Sequence, residues 1–213
     1  AIHTRLVGSE MCIRDRDGSL IVNRLGKLLG NKLIMIRHAP VISDGLFYGS
    51  RDVACRCPNT QEAKKIRASL PNDFNLYVSS AKRCVTTANS LFPEMKAPAY
   101  DALREQNFGS WEGIPYEKIP DIGTLSSKEL GEFRPPEGES FNEVCVRVNL
   151  AVDEILKKSK NQENIVIVAH SGTIRAVLST LVGISALSFQ FDNLSLSEVI
   201  FLTDGMIVSY LNK

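Results

Sequence analysis

Beyond residue 16 the chain carries only two histidines, His38 and His170, and each stands where an apolar run stops. His38 follows Leu33-Ile34-Met35-Ile36-Arg37, and His170 follows Ile165-Val166-Ile167-Val168-Ala169. Each also has an arginine at hand, Arg37 directly before the first and Arg175 shortly after the second. This combination suits phosphate chemistry. A neutral imidazole nitrogen can attack phosphorus and carry a phosphoryl group, but a phosphate dianion repels nucleophiles until its charge is neutralised. Arginine does this well, because its planar guanidinium binds phosphate oxygens bidentately and stays protonated. Arg83, a few residues past Leu76-Tyr77-Val78, can supply a second such fork. The departing alcohol needs a proton, for which a carboxylic acid in a partly enclosed loop is suited. Glu105, Glu112 and Glu117 all lie in one stretch of the chain, and spacing alone does not choose between them. Taken singly, each residue has a plainer reading: a core or capping histidine, a solvated arginine, a surface carboxylate. The shared position of the two histidines is what argues for a site.

Those side chains can meet only if the fold brings strand ends together. Leu33 to Ile36 is a short continuous apolar run ending at a loop, as expected of a buried strand. Thr60 to Leu70 reads as a helix with Thr60 as its N-cap, Ala63, Ile66 and Leu70 on one face, and Pro71 beyond its end. Leu76 to Val78 is a second strand running into Ser79-Ser80, and a helix over Arg83 to Leu91 stops before Pro93. From Arg104 to Pro136 glycines, prolines and isolated charges predict an irregular or short-helical insertion, a candidate lid. Ser140 and Glu143 form a capping box, after which Val144, Val148, Ala151, Val152 and Ile155 repeat at helical spacing. Ile165 to Ala169 reads as the most buried strand, followed by an apolar helix over Ile174 to Val182. Strands at Glu198 to Leu202 and Met206 to Leu211 flank Asp204-Gly205, a hairpin signal. Alternating strands and helices predict an α/β domain, a three-layer α/β/α sandwich with a mostly parallel central sheet. In such sheets ligands bind beyond the carboxyl ends of the strands, where both histidines fall.

Four ordered blocks carry a resemblance: Arg37-His38-Ala39; Ser79-Ser80-Ala81-Lys82-Arg83 with Thr87-Ala88; Glu105 to Gly113; and His170-Ser171-Gly172. Together they resemble the signatures of the histidine phosphatase (phosphoglycerate mutase-like) superfamily, over about Lys32 to Leu211. The resemblance implies His38 as the phosphorylated nucleophile, Arg37, Arg83 and His170 as the phosphate pocket, and Glu105 as the proton donor. It also implies substrate contacts from Tyr48 and Gly49 and from the amides of Ser171 and Gly172 at a helix start. No metal or other cofactor is implied, because guanidinium groups do the charge neutralisation. Tyr48-Gly49-x-x-Asp52, Asn107-Phe108-Gly109-x-Trp111-Glu112 and Gly138-Glu139-Ser140-Phe141 look most like the small bacterial branch that includes alpha-ribazole phosphatases of cobalamin biosynthesis. The substrate expected on that ground is alpha-ribazole 5′-phosphate. The alternatives are a broad sugar or metabolite phosphatase, a mutase-like enzyme, and a catalytically inactive member that binds a phosphorylated ligand or a protein. The stretch between Glu105 and His170 is short for a mutase, and an inactive member would be expected to lack the nucleophile or the acid. The chain departs from the family's usual pattern at Ala39, Pro40 and Asp44, at Asp52 to Cys57, and at Thr86. Trp111 is read as packing that holds the Glu105 loop.

Composition bounds the partners. Hydrophobic residues make up 44% and charged residues 23% of 213 residues, as in a folded globular domain. Basic and acidic residues nearly balance, 25 against 24, which removes the long-range field a non-specific nucleic-acid binder uses. The run Ile165 to Ala169 is far short of the ~20 residues that span a bilayer. The expected partner is therefore a small phosphorylated metabolite, with no nucleic acid and no membrane, acting on a monomer or homodimer. Leu6 to Arg16 has no hydrophobic period and reads like a translated transposon-end sequencing adapter. Residues 1–16 are accordingly set apart, residues 17–31 are read either as a native N-terminal extension or as translated upstream sequence, and residues 32–213 are expected to form the domain. Cys55, Cys57, Cys84 and Cys145 show no zinc-type pairing and no export signal precedes them, so reduced thiols in the cytoplasm are expected. A minor alternative is a lowered thiol pKa at Cys84, next to Arg83.

Overall fold

The computed structural model describes residues 3–7, 10–14, 30–42, 45–159, 163–202 and 205–213. Asp44, Asp204 and residues 17–29 lie outside the described residues. His3–Val7 (β1) and Glu10–Arg14 (β2) pair antiparallel as a two-stranded sheet of their own. The main sheet is built on β3 (Asn31–Arg37), where the period-2 geometry of a strand assigns each side chain to a layer. Leu33 and Met35 face one way and pack with Ile165, Ile167 and Ala169; Ile34 and Ile36 face the other way with Val166 and Val168.

Each face is then covered by helices. On one side lie α1 (Thr60–Ala68), through Ala63 and Ile66, and α2 (Lys82–Leu91), through Cys84, Ala88 and Leu91. Between them comes β4 (Asn75–Ser79), and after α2 the short β5 (Ala99–Tyr100). The opposite face is covered by α4 (Phe141–Lys158) and α5 (Ser171–Val182), which flank β6 (Asn164–Ala169) in the chain. A further helix, α3 (Ser127–Glu132), lies in the expected insertion, and β7 (Leu196–Phe201) and β8 (Met206–Tyr210) complete the sheet. The strand order is β5-β4-β6-β3-β7-β8. β5, β4, β6 and β3 are mutually parallel, whereas β7 runs antiparallel to both β3 and β8. The predicted α/β/α sandwich with a mostly parallel sheet is therefore the fold observed.

The long amphipathic helix is also as expected. Ser140 accepts from the Glu143 amide and Glu143 reaches back to the Ser140 amide, and Val144, Val148, Ala151, Val152 and Ile155 are buried. One cap differs. Asn59, not Thr60, caps α1: its side chain accepts from the amides of Gln61 and Glu62 at 2.9 and 2.9 Å, and Glu62 closes the box on the Asn59 amide at 2.8 Å. Thr60 is already helical, because asparagine one position earlier offers the better-placed acceptor. Ser171–Ser188 is long and apolar enough by composition to cross a membrane, with mean hydropathy 1.2. In this fold Ile174, Val177 and Leu178 of that stretch are core residues packed with α4 and the sheet.

The 104–136 insertion is tied down rather than loose. The Gly113 amide donates to the Phe47 carbonyl at 2.7 Å and the Phe47 amide to the Ile114 carbonyl at 2.8 Å. The Phe47 ring meets Phe108 and Tyr116 edge-on, at 4.7 and 5.4 Å between centroids. Trp111 stacks on Phe133 at 5.6 Å, the packing role the sequence suggested. Gly109 has φ +57°, and a Cβ there would lie 2.0 Å from the Pro136 carbonyl oxygen, so this crossing of two backbones requires glycine.

Candidate active site

Register brings the two histidines together. β3 and β6 pair in parallel with Arg37 opposite Ala169, and the His38 amide donates to the Ala169 carbonyl at 2.9 Å. Both strands therefore release their histidines at the same edge of the sheet, and the rings meet edge-on at 5.1 Å. β4 ends beside them, placing Ser79 Oγ 2.9 Å from His170 Nε2. This is the carboxyl edge of the parallel strands, where the fold class collects its ligands.

His38 is 5% exposed, and its hydrogen bonds assign its tautomer. Nδ1 donates to the Ala39 carbonyl at 2.7 Å, which leaves Nε2 with its lone pair, and that nitrogen accepts from Arg83 Nε at 3.3 Å. Burial, opposed by the Ala39 hydrogen bond and reinforced by the charges of Arg83 and Arg37, lowers the His38 pKa from 6.5 to about 3. The ring is thus a neutral base at physiological pH. His170 is driven the same way by complete burial and by the charge of Arg83. The backbone behind His38 is fixed from two sides. The Ala39 amide donates to Thr87 Oγ1 at 2.9 Å, and Asn193 Nδ2 donates to the His38 carbonyl at 2.8 Å. Pro40 lacks an amide donor, but its carbonyl accepts from Arg56 at 2.8 Å, so the loop leaves the sheet along the 54–56 segment.

Arg83 reaches the site from the first turn of α2. Its Nη1 donates to the Arg51 carbonyl at 2.8 Å and its Nη2 to the Gly49 carbonyl at 2.7 Å. Gly49 is itself wedged: a Cβ would sit 2.2 Å from the Gln106 carbonyl oxygen. Tyr48 is half-buried beside it. Glu112, one of the three carboxylates compatible with the spacing, has another task here. It accepts from the amides of Ser50, Arg51 and Phe108 at 2.7, 2.7 and 2.9 Å, stitching the 49–51 loop to the insertion. Glu117 is exposed. Glu105 is the one beside the histidine pocket. Its Oε2 accepts from the Gly172 amide at 3.2 Å, at the second residue of α5, and a Cβ at Gly172 would lie 1.9 Å from its Oε1. The Gly172 amide, read from the sequence as a donor toward substrate, is here a donor to Glu105; Ser171 opens the helix next to it.

Arg37 donates to the Phe191 carbonyl through Nη1, while its buried Nε makes no hydrogen bond among the described residues. Burial lowers its pKa and the charge of Glu105 raises it, with Arg175 adding a smaller lowering. Arg175, whose pKa is likewise lowered by burial and raised by Glu105, holds the Phe189 carbonyl at 2.8 Å. Cys84 lies against His170, with Sγ 3.3 Å from Nε2. Complete burial raises its thiol pKa, overriding the charge of Arg83, so this cysteine is not the activated thiol its sequence neighbour suggested.

A profile described as the histidine phosphatase superfamily (branch 1) matches residues 33–213, most of the chain. The chain belongs to the histidine phosphatase superfamily. A 6-phosphofructo-2-kinase/fructose-2,6-bisphosphatase from Caenorhabditis elegans is 27% identical over 134 residues, which covers 57% of this chain and 28% of that protein. The chain thus spans less than a third of the length of such relatives. A 2,3-bisphosphoglycerate-dependent phosphoglycerate mutase from Cytophaga hutchinsonii is 27% identical over 168 residues, covering 72% of this chain and 78% of the mutase. Among solved structures, the alpha-ribazole phosphatase from Shigella flexneri superposes with a TM-score of 0.70 at 23% identity, over 85% of this chain and 96% of that one. That likeness is one of fold.

In this member of the superfamily the structure gathers His38, His170, Arg37, Arg83, Glu105, Gly49 and Gly172 around one sheet edge. Several of their supports were not singled out in the sequence. Thr87 lay inside a quoted block but was given no task. Arg147 had a usable signal, an arginine set between Val144 and Val148 on the buried side of α4. Asn193 had none.

Proposed function

We propose that this histidine phosphatase is a phosphomonoester hydrolase that works through a phosphohistidine on His38. The observation that carries this reading is the state of His38: a buried, neutral imidazole whose Nε2 lone pair is presented beside Arg83, with Glu105 and His170 in the same pocket. In the first step Nε2 attacks phosphorus in line, the phosphorus–oxygen bond to the alcohol breaks, and Glu105 in its acid form protonates the departing oxygen. In the second, Glu105 takes a proton from water, the water oxygen bonds to phosphorus, and the phosphorus–nitrogen bond breaks to return neutral His38. Arg37, Arg83 and His170 bind the phosphoryl oxygens. Arg37 Nε, a buried donor without a partner among the described residues, is the group that gains most from an anion. Arg83 would exchange its loop carbonyls for phosphate oxygens, which couples Gly49 and Tyr48 to substrate entry. Ser171 and Gly172 form the opposite wall. No step uses a metal.

The substrate is a small phosphorylated metabolite, and the motif likeness and the shared fold favour alpha-ribazole 5′-phosphate in cobalamin biosynthesis. A second reading, toward a phosphate ester with another anionic group, is favoured by Arg104 and Arg175 near the histidines and Glu105. The test is phosphate release in EDTA from alpha-ribazole 5′-phosphate, 3-phosphoglycerate and p-nitrophenyl phosphate, with His38→Ala as control. Release that prefers the first and vanishes in the variant supports mechanism and substrate together. Preference for 3-phosphoglycerate supports the second reading, and no release from any ester by folded protein would leave a binding-only member.

A further inference from the structure

Arg147 divides its guanidinium between the segment that carries Glu105 and the Glu139 carboxylate. Its Nη1 donates to the carbonyls of Ala102 and Arg104, both at 2.8 Å, and its Nη2 to the carbonyl of Glu105 itself at 3.2 Å. The remaining face of the fork grips the Glu139 carboxylate, with Nε at 2.9 Å from Oε2 and Nη2 at 2.6 Å from Oε1. Glu139 in turn holds the same segment from its other side. Its Oε1 accepts from the Asn107 amide at 2.8 Å, its carbonyl accepts from Gln106 Nε2 at 2.8 Å, and its amide donates to the Asn107 carbonyl at 2.8 Å. The pair is mostly buried, with 25% and 20% of the two side chains exposed, so it is not a solvated surface contact of little worth.

This arrangement has a directional logic. Arg147 is anchored on α4, whose neighbours Val144 and Val148 are fully buried, so the guanidinium is tied to a rigid element. Glu105 has no regular structure of its own: it sits just after a 3-10 turn, Asp101–Leu103, at the start of the insertion. A carboxyl that must meet a leaving oxygen needs its backbone fixed to a fraction of an ångström, and a loop cannot do this unaided. We propose that Arg147 and Glu139 are positioning residues for Glu105, transmitting the rigidity of α4 to the proton donor. The inference rests on the hydrolase reading above, in which Glu105 protonates the leaving group.

A leaving-group comparison tests it, because a displaced acid matters for a basic leaving oxygen and little for one that departs unaided. Phenyl phosphate and p-nitrophenyl phosphate form such a pair. Arg147→Met is expected to lower kcat/KM, which reports the leaving-group step and not the later hydrolysis common to both esters, by roughly tenfold to a hundredfold on phenyl phosphate and by much less on p-nitrophenyl phosphate. Arg147→Lys, which keeps the charge and loses the fork, should show the same asymmetry. In a Glu105→Gln background, Arg147→Met should add little further loss, as for residues acting through one group. Glu139→Gln, a near-isosteric change at a part-exposed position, should reproduce the asymmetry and carries the test should Arg147→Met fail to fold. Equal losses in kcat/KM on both esters, or an undiminished loss in the Glu105→Gln background, would overturn the positioning role. His38→Ala separates the two levels: if it retains phosphate release, the phosphohistidine reading itself fails, whereas an inert His38→Ala with symmetrical Arg147 losses removes only this inference.

Discussion

His38 owes its neutral state to burial more than to its sequence neighbours, and that has a consequence for stability as well as for attack on phosphorus. Its folded pKa of about 3 lies below its ordinary 6.5, so between those values the unfolded chain binds a proton that the folded chain does not. Stability is therefore full above pH 6.5 and declines as pH falls toward 3, with His170 acting in the same direction. Thermal melts from pH 8 to pH 4 should show this decline, and His38→Asn should flatten it; an unchanged slope would mean that other groups dominate. A second residue-scale expectation concerns Gly172. The Cβ of Gly172→Ala would stand 1.9 Å from Glu105 Oε1, the far end of a side chain that can swing away. Melting temperature should then change little while kcat falls roughly tenfold or more, since displacing an acid by an ångström costs about that much. The nucleophile, the arginines and the second histidine were legible because residue type and strand-end position coincide. The choice of Glu105 over Glu112 was not legible from spacing. It depends on the Gly172 amide and on the amides of Ser50 and Arg51 that claim Glu112, contacts made across more than fifty positions of sequence.

At the scale of elements, α4 is the best-defined piece in both sequence and structure. Its capping box and apolar stripe follow local rules, and each should be measurable. Ile155→Ala, at a residue 1% exposed, should cost ~2–5 kcal/mol in urea unfolding. Ser140→Ala should cost about 1 kcal/mol through the lost cap. Losses near zero in both would mean that the helix is not part of the cooperative core. Strands β3 and β6 were equally readable, since continuous branched apolar runs are buried on both faces. The insertion was not. Its order comes from the seam with the Phe47 segment and from the Trp111–Phe133 stack, pairings that no periodicity announces. The N-cap of α1 was displaced by one residue for a similar reason: Asn59 and Thr60 are both capping residues, and only geometry decides between them.

For the whole molecule, the two hydrophobic clusters that flank the sheet draw, among the described residues, on those from Leu33 onward. Removing residues 1–16, proposed to be adapter-derived, should accordingly leave melting temperature and phosphate release unchanged, and a drop in either would assign that segment a part in the domain. The sheet's parallel register is what brings two distant histidines together, and Arg37 and Arg83 place positive charge beside them. The most direct measurement is alkaline-quench mass spectrometry of the protein turning over p-nitrophenyl phosphate in EDTA. A phosphoryl adduct on the peptide bearing His38, stable to base, labile to acid and missing in His38→Ala, is the predicted result. Sustained turnover with no adduct, by a His38→Ala protein as active as the parent, would contradict it.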